Sequence, residues 1–250
     1  MEHLGKHGAR VKRLRQAVRR RPQGVVLVDG VRLVADLVRW QLPILELYVT
    51  PETLASAEIA EAVDAAREVL QVEPELLASL APTRSPQGVL AVTEEPSWPV
   101  WRGERGIALW LDAVQDPGNL GAIVRAAAGL GAAAVLLGPG CADPFGAIAV
   151  RGAAGAVLRI PVEREVTATR AVERVRSAGG SVWATGAAGI PVTSWRPEAP
   201  TLVLLGAEGR GLDRHAAVLA DGAVVIPLAR DVESLNVAVA AGILLHCLRR

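Results

Sequence analysis

Between Asp116 and Asp143 the chain carries one charged residue, Arg125, within the stretch "LDAVQDPGNLGAIVRAAAGLGAAAVLLGPGCAD" that runs from Leu111 to Asp143. The stretch reads as a strand end, a turn, a helix and a second strand. It lacks the apolar-polar alternation of a sheet with one face in water. The same cycle recurs through the second half of the chain. Apolar runs predict strands over 107–111, 133–137, 157–160, 181–185, 201–205 and 223–226. Helical spacing and capping residues predict helices over 120–130, 167–178, 213–220 and 234–248. Continuous apolar strands alternating with helices call for a parallel sheet covered on both faces, so the fold class is α/β.

The first half shows the pattern in a smaller form. In "GVVLVDGVRLVADLVRWQLPILELYVT" the runs 25–28 and 44–49 are rich in β-branched residues, while Val31, Val34, Leu37 and Val38 fall at helical spacing. "SAEIAEAVDAAREVL" predicts an amphipathic helix over 56–70, "PELLASL" a short helix opened by its proline, and "QGVLAVT" another strand. The mixed, proline- and glycine-containing "EEPSWPVWRGERG" reads as a linker, with a domain boundary near 101–105. The expected organisation is a basic N-terminal arm over 1–21, a smaller α/β domain over 22–104 and a parallel-sheet domain over 105–250.

Composition narrows the function classes. The chain is 51% hydrophobic and 21% charged, which supports a sizeable core and excludes wholesale disorder. No apolar run approaches the roughly 20 residues that span a bilayer, and "MEHLGKHGARVKRLRQAVRRR" has no apolar core of a secretory signal, so no membrane role is expected. Cys141 and Cys247 form no CxxC and no metal-ligand spacing, and the histidines at 3, 7, 215 and 246 are scattered. The expectation is a reducing cytoplasm, with no structural metal.

The net charge of +1 conceals an uneven distribution. Lys6, Arg10, Lys12, Arg13, Arg15, Arg19, Arg20 and Arg21 stand against the single acid Glu2 in residues 1–21. Such a run is either a solvated helix face or a footprint for a phosphate backbone. With one Phe, one Tyr and six Trp, the composition argues against an aromatic stacking sheet, so RNA contact would rest on phosphate and shape.

Three predicted strand-turn-helix junctions carry the chemistry. "DPGNLGAIVR" offers Asn119 as a helix cap and Arg125 beyond it. "LLGAEGRGLD" places glycines at 206, 209 and 211, where backbone can approach a ligand closely. "VVIPLARDVESLNVAVAAGILLHC" has Pro227 after a strand and Ser234 or Asn236 as cap of a long apolar helix. Ligands of open α/β sheets bind beyond the carboxyl ends of the strands, where all three junctions fall. The glycine spacing is not the G-x-G-x-x-G of a dinucleotide site, and neither a P-loop nor a G-x-S-x-G elbow is present.

Together the junctions resemble, in order and spacing, the three motifs of the SpoU family of RNA ribose 2′-O-methyltransferases, in the SPOUT superfamily. Asn119 and Arg125 in "NLGAIVR" match the first, "LLGAEGRGL" the second, and "IPLARDVESLNVAVAAG" with Ser234, Leu235 and Asn236 the third. The resemblance is dense from Gly106 to Arg250. The first half is similar, more loosely, to the family's RNA substrate-binding domain of L30e-like fold, through "VDGVRLV" and "SPQGVLAV". Asp29 stands where that domain more often has Glu, Ala153 where many members have Ser, and Asp231 and Val232 in a loop usually richer in glycine or serine.

The resemblance implies a trefoil knot in the C-terminal domain, S-adenosylmethionine bound there, a homodimer, and RNA, most often ribosomal, as substrate. Alternatives within reach are a tRNA ribose methyltransferase and a catalytically silent RNA-binding protein of the same fold. By resemblance, Thr185, Leu205, Gly206, Ile226, Leu228 and Leu235 hold the cofactor, and Arg125, Asn119, Glu208, Ser234 and Asn236 form the catalytic set. The family role for Arg125 is to activate the hydroxyl. A free Arg keeps its proton, so the role assigned here is to orient the ribose and its phosphate and to stabilise the emerging oxyanion. The competing structural role is an ion pair with Asp112, Asp116 or Glu208.

Overall fold

The computed structural model describes residues 2–4, 9–19, 21–81, 86–207 and 209–248. The chain divides into two units. One comprises Met1–Ser97 with Phe145–Gly155, the other Trp98–Pro144 with Ala156–Arg250.

The first unit contains β1 (Glu2–Leu4), α1 (Ala9–Arg19), β2 (Val25–Asp29), α2 (Val31–Arg39), β3 (Ile44–Val49), α3 (Pro51–Leu54), α4 (Ala60–Ala65), β4 (Val69–Val72), α5 (Pro74–Leu80) and β5 (Val89–Glu94). Among the described residues its strands form one sheet in the order β1-β4-β3-β5-β2. β1, β4 and β3 run parallel, and β5 runs antiparallel to both β3 and β2. The expected helix over 56–70 is broken. Ala66 is extended, its neighbour's amide (Arg67) donates to the Ile44 carbonyl, and Val69–Val72 join the sheet as β4. Val69 and Val72 suit a pleated surface better than a helix, and docking beside β3 overrides the helical spacing of the preceding residues.

The expected basic arm is, over Ala9–Arg19, a packed helix. Val11 and Leu14 are buried in one cluster with Leu70, Leu76, Leu77, Leu80 and Leu90, while Lys12, Arg13 and Arg15 are exposed. Lys6 and Arg20 lie outside the described residues. Arg21 is not available to a partner. Its guanidinium donates to Glu95 Oε2 at 2.8 Å and to the Val25 carbonyl at 2.9 Å, and it lies 5.5 Å from the centre of the Phe145 ring. Phe145 is buried and is followed by α7 (Ala147–Gly152), which contacts β2. Sequence periodicity gave no sign of this contribution from the middle of the chain.

The second unit contains β6 (Ile107–Asp112), α6 (Pro117–Gly129), β7 (Ala134–Leu137), β8 (Val162–Glu163), α8 (Ala168–Ser177), β9 (Ser181–Pro191), β10 (Thr201–Gly206), α9 (Arg214–Ala217), β11 (Gly222–Val225) and α10 (Val237–Leu248). Its sheet has the order β11-β9-β10-β6-β7-β8, and every pairing is parallel. Both central strands are buried almost throughout. Ala108, Trp110, Leu202 and Leu204 meet Ala171, Val172 and Val175 of α8 and Ala216 of α9 on one face. Alternate residues point to the opposite face, where α6 and α10 pack against each other. This is the doubly covered parallel sheet that the apolar runs predict.

Several boundaries differ from expectation. The segment expected as a strand over 157–160 is a 3-10 turn at Ala156–Leu158, and the edge strand begins only after Pro161, which has no amide to give to a ladder. The helix expected from Leu120 begins at Pro117 and is capped by Asp116, not Asn119. α10, expected from Ser234, begins at Val237, and of the two caps that the sequence offers Asn236 is the one used.

Arg21→Ala removes one partner of a partly buried ion pair and is expected to lower unfolding free energy by about 2 kcal/mol. Lys12→Ala on the exposed face of α1 is expected to change it by less than about 0.5 kcal/mol. Urea denaturation of the two variants distinguishes a structural Arg21 from a solvated one.

Candidate active site

Parallel pairing brings the strand ends of the second unit to one edge of its sheet. Asp112, the last residue of β6, is the ladder partner of Gly206, the last residue of β10. After β6 the chain turns into α6, where Asp116 Oδ1 accepts the Asn119 amide at 2.7 Å. With Pro117 at the first helical position, this is a cap in which the missing proline N–H costs nothing. Asn119 is thereby free to use its own side chain elsewhere.

After β10 the glycine-rich loop folds back on itself. The Gly211 amide donates to the Ala207 carbonyl at 2.9 Å, and Gly209 and Gly211 have φ of +76° and +68°. A Cβ at Gly206 would lie 2.1 Å from the Gly211 carbonyl carbon and the Leu212 nitrogen, so only glycine fits there. The loop ends at Asp213, whose side chain accepts the His215 amide at 2.8 Å and caps α9.

β9 is interrupted within its length. Ala184 pairs with Ala223 and Ile190 with Val224, so residues 185–189 leave the ladder between two paired stretches. Thr185 is held at the start of this excursion by donating its hydroxyl to the Leu204 carbonyl at 3.0 Å.

The strand ends and loops enclose a cavity of about 700 Å³. Thr185, Leu205, Gly206, Ile226, Leu228 and Leu235 all line it, as does Ser234. Asn119 and Asn236 meet beside one another. Asn236 Nδ2 donates to Asn119 Oδ1 at 2.9 Å, while Asn236 Oδ1 accepts the Ala238 and Val239 amides at 3.0 and 3.2 Å. One amide side chain therefore both caps α10 and ties it to α6. Glu208 lies outside the described residues.

Arg125 is exposed on α6, although the apolar run around it suggested a buried setting. Among the described residues its guanidinium has no hydrogen bond or ion pair. Its two described candidate partners are engaged elsewhere. Asp116 caps α6, and Asp112 accepts the Asp213 amide at 2.8 Å and faces Arg210 at 3.4 Å. The sequence signal for the place of Asp112 was a carboxylate closing an apolar strand, in "ALWLD". Burial pushes the Cys141 thiol above its ordinary range, and its Sγ lies 3.3 Å from the Leu111 carbonyl in a hydrogen bond. It is a neutral side chain beside β6.

An all-parallel α/β sheet with a glycine-walled cavity at the carboxyl ends of its strands defines the class of ligand-binding doubly wound proteins. Within that class the particular family is shown by comparison. Residues 106–246 match the SpoU rRNA Methylase family and residues 9–91 the MRM3-like substrate binding domain. The chain belongs to the SpoU rRNA methylase family. It is 36% identical over 185 residues to an uncharacterized tRNA/rRNA methyltransferase of Synechocystis sp., covering 72% of this chain and 66%, just under two thirds, of that one. It is 30% identical over 239 residues to the 23S rRNA (guanosine(2553)-2′-O)-methyltransferase RlmP of Bacillus subtilis, covering 95% of this chain and 94% of that one. Its fold is similar to that of an AdoMet-bound rRNA methyltransferase from Sinorhizobium meliloti, with a TM-score of 0.85, 29% identity and coverage of 98% and 96%.

Asn236→Ala is expected to lower stability by about 1 kcal/mol through loss of the α10 cap, and Asn236→Ser by a few tenths, because both Asn and Ser cap well. Melting temperatures of the two variants check this. Equal losses would mean that the bond to Asn119, which serine cannot make, carries more of the stability than the cap.

Proposed function

We propose that this protein transfers a methyl group from S-adenosylmethionine to a ribose 2′-hydroxyl of RNA, with 23S-type ribosomal RNA as the substrate, in the cytoplasm. The observation that carries this reading is the convergence of side chains from separate strand ends on one cavity in a chain of the SpoU family. The near full-length similarity to RlmP supports the ribose and the ribosomal RNA.

The cavity fits the cofactor. Its volume falls in the range of small-molecule sites, about 300–1,000 Å³. Leu205, Ile226, Leu228 and Leu235 offer apolar walls, and Gly206 and Thr185 line the cavity between them. These six residues would hold it. When bound, the cofactor supplies an activated methyl group.

The chain's own residues do the rest. Arg125 serves as a cation that orients the ribose and its phosphate and stabilises negative charge developing on the 2′ oxygen. Its exposure on α6, with no partner among the described residues, suits a group whose partner arrives with the substrate. The hydrogen bond from Asn236 Nδ2 to Asn119 Oδ1 ties the start of α6, the helix that bears Arg125, to the start of α10. Ser234 in the cavity wall and Glu208 complete the set that orients the substrate.

The first unit would hold the RNA, as the substrate-binding domain it resembles suggests. The exposed Lys12, Arg13 and Arg15 on α1 form the surface proposed to meet the phosphate backbone. We also infer that two chains pair and that the second unit is threaded as a trefoil knot. Exposed Val239 on the apolar helix α10 supports the pairing.

The test is incubation of the protein with ribosomal RNA and S-adenosylmethionine carrying a labelled methyl group. Label is expected in linkages that resist alkaline hydrolysis, because a 2′-O-methyl group removes the attacking hydroxyl. Label on a base, or on transfer RNA alone, would contradict the assignment. Arg125→Ala is expected to lower the rate about 100- to 1,000-fold with melting temperature unchanged. Wild-type turnover in that variant would return Arg125 to the solvated surface.

RNA affinity provides a separate check. Deleting residues 1–21 would also strip Val11 and Leu14 from the core, so charge substitutions are the cleaner probe. Replacing Lys12, Arg13 and Arg15 together by Gln is expected to flatten the slope of log affinity against log salt by about 2. An unchanged slope would show that α1 presents an ordinary solvated face.

A further inference from the structure

Asp112 is in neither the cofactor-binding nor the catalytic set, yet both ends of the glycine-rich loop meet at it. The loop enters at Gly206, which pairs with Asp112 across the β10–β6 ladder. It leaves at Asp213, whose amide donates to Asp112 Oδ2 at 2.8 Å. Between these points lie Ala207, Gly209, Gly211 and Leu212, all in the cavity wall. Arg210, from the middle of the loop, reaches Asp112 Oδ1 at 3.4 Å. Asp112 is only 8% exposed, so its carboxylate has exchanged water for these donors.

A loop this rich in glycine has many conformations to lose, and its shape must be imposed by its surroundings. The turn bond from Gly211 to Ala207 closes only its interior. Among the described residues the two ends of the loop meet at Asp112, through backbone at one end and side chain at the other. The two side-chain contacts are unequal. The Asp213 amide bond is short and sheltered, whereas the Arg210 side chain is 64% exposed and its contact is long.

We propose that Asp112 is a positioning residue for the cofactor: its carboxylate closes the glycine-rich loop and holds it in the shape that binds S-adenosylmethionine. This inference rests on the methyltransferase reading above. The Asp213 amide bond is the main contact, and the Arg210 pair is secondary.

The test titrates S-adenosylmethionine into wild-type protein and the variants Asp112→Ala, Asp112→Asn and Arg210→Ala. Wild-type binding is the control, and its absence overturns the methyltransferase reading itself. Given that control, Asp112→Ala is expected to weaken cofactor affinity at least tenfold and to raise the cofactor KM far more than it lowers kcat. Asp112→Asn keeps an acceptor for the Asp213 amide and is expected to stay within about threefold of wild type. Arg210→Ala is expected to do the same. A folded Asp112→Ala protein with wild-type cofactor affinity overturns the proposal. So does an Asp112→Asn variant as impaired as the alanine one. Amide hydrogen exchange in the unmodified, cofactor-free protein gives a readout independent of any variant. The Asp213 amide is expected to exchange as slowly as the strand amides of β10, and exchange at the rate of an open loop overturns the proposal.

Discussion

The parallel ladder between β6 and β10 is the constraint on which the rest of the second unit depends. Because the strands run the same way, their following loops leave the sheet at one edge. The same rule places the ends of β9 and β11 there, so segments far apart in sequence become walls of one cavity. The ladder is stabilised from both faces by apolar side chains, and this leaves the edge free to be built from glycine, amide and carboxylate groups. A rigid frame with an adaptable rim is the arrangement a ligand site needs.

Much of this frame was legible in the chain. Four of the six strands expected in the second half appear close to their predicted bounds and a fifth starts at the expected Ser181 but runs on to Pro191, because unbroken runs such as "IALWL" and "TLVLL" leave no choice but a doubly covered sheet. The residues around the cavity were legible for a different reason: glycine and amide residues at strand ends must serve turns, caps or ligands. What periodicity could not show were decisions made by tertiary contact. Asp116 took the cap that Asn119 could have filled, and Asn119 bonded Asn236 instead. The strand expected to end at 185 resumed at Ile190 and Pro191, where pairing with Val224 and Val225 recaptured it. Val69–Val72 turned from the end of a helix to a strand because β1 and β3 flank it. Phe145 and α7 joined the first unit although their neighbours in sequence belong to the second.

The placement of charge separates structural from functional cations. Arg21 and Arg174 are held in sheltered pairs with Glu95 and Glu163, and their work is architectural. Arg125 stands exposed on an otherwise apolar helix, and its nearest described acids in sequence serve a cap and a loop closure. A guanidinium without a partner among the described residues, on a helix tied to α10 by the Asn119–Asn236 hydrogen bond, is suited to meet an anionic substrate. The exposed bases of α1 suit a phosphate backbone, while the walls of the cavity itself are largely neutral and suit a cofactor. Recognition of RNA and binding of cofactor are thus assigned to different kinds of surface.

The central claim is that the strand ends form a cofactor site already shaped in the protein without RNA. Calorimetric titration of S-adenosylmethionine into the RNA-free protein tests it most directly. The account predicts saturable binding of the cofactor, and of its demethylated product at the same site, with no RNA present. Absence of binding at millimolar ligand, or binding that appears only after RNA is added, would contradict it.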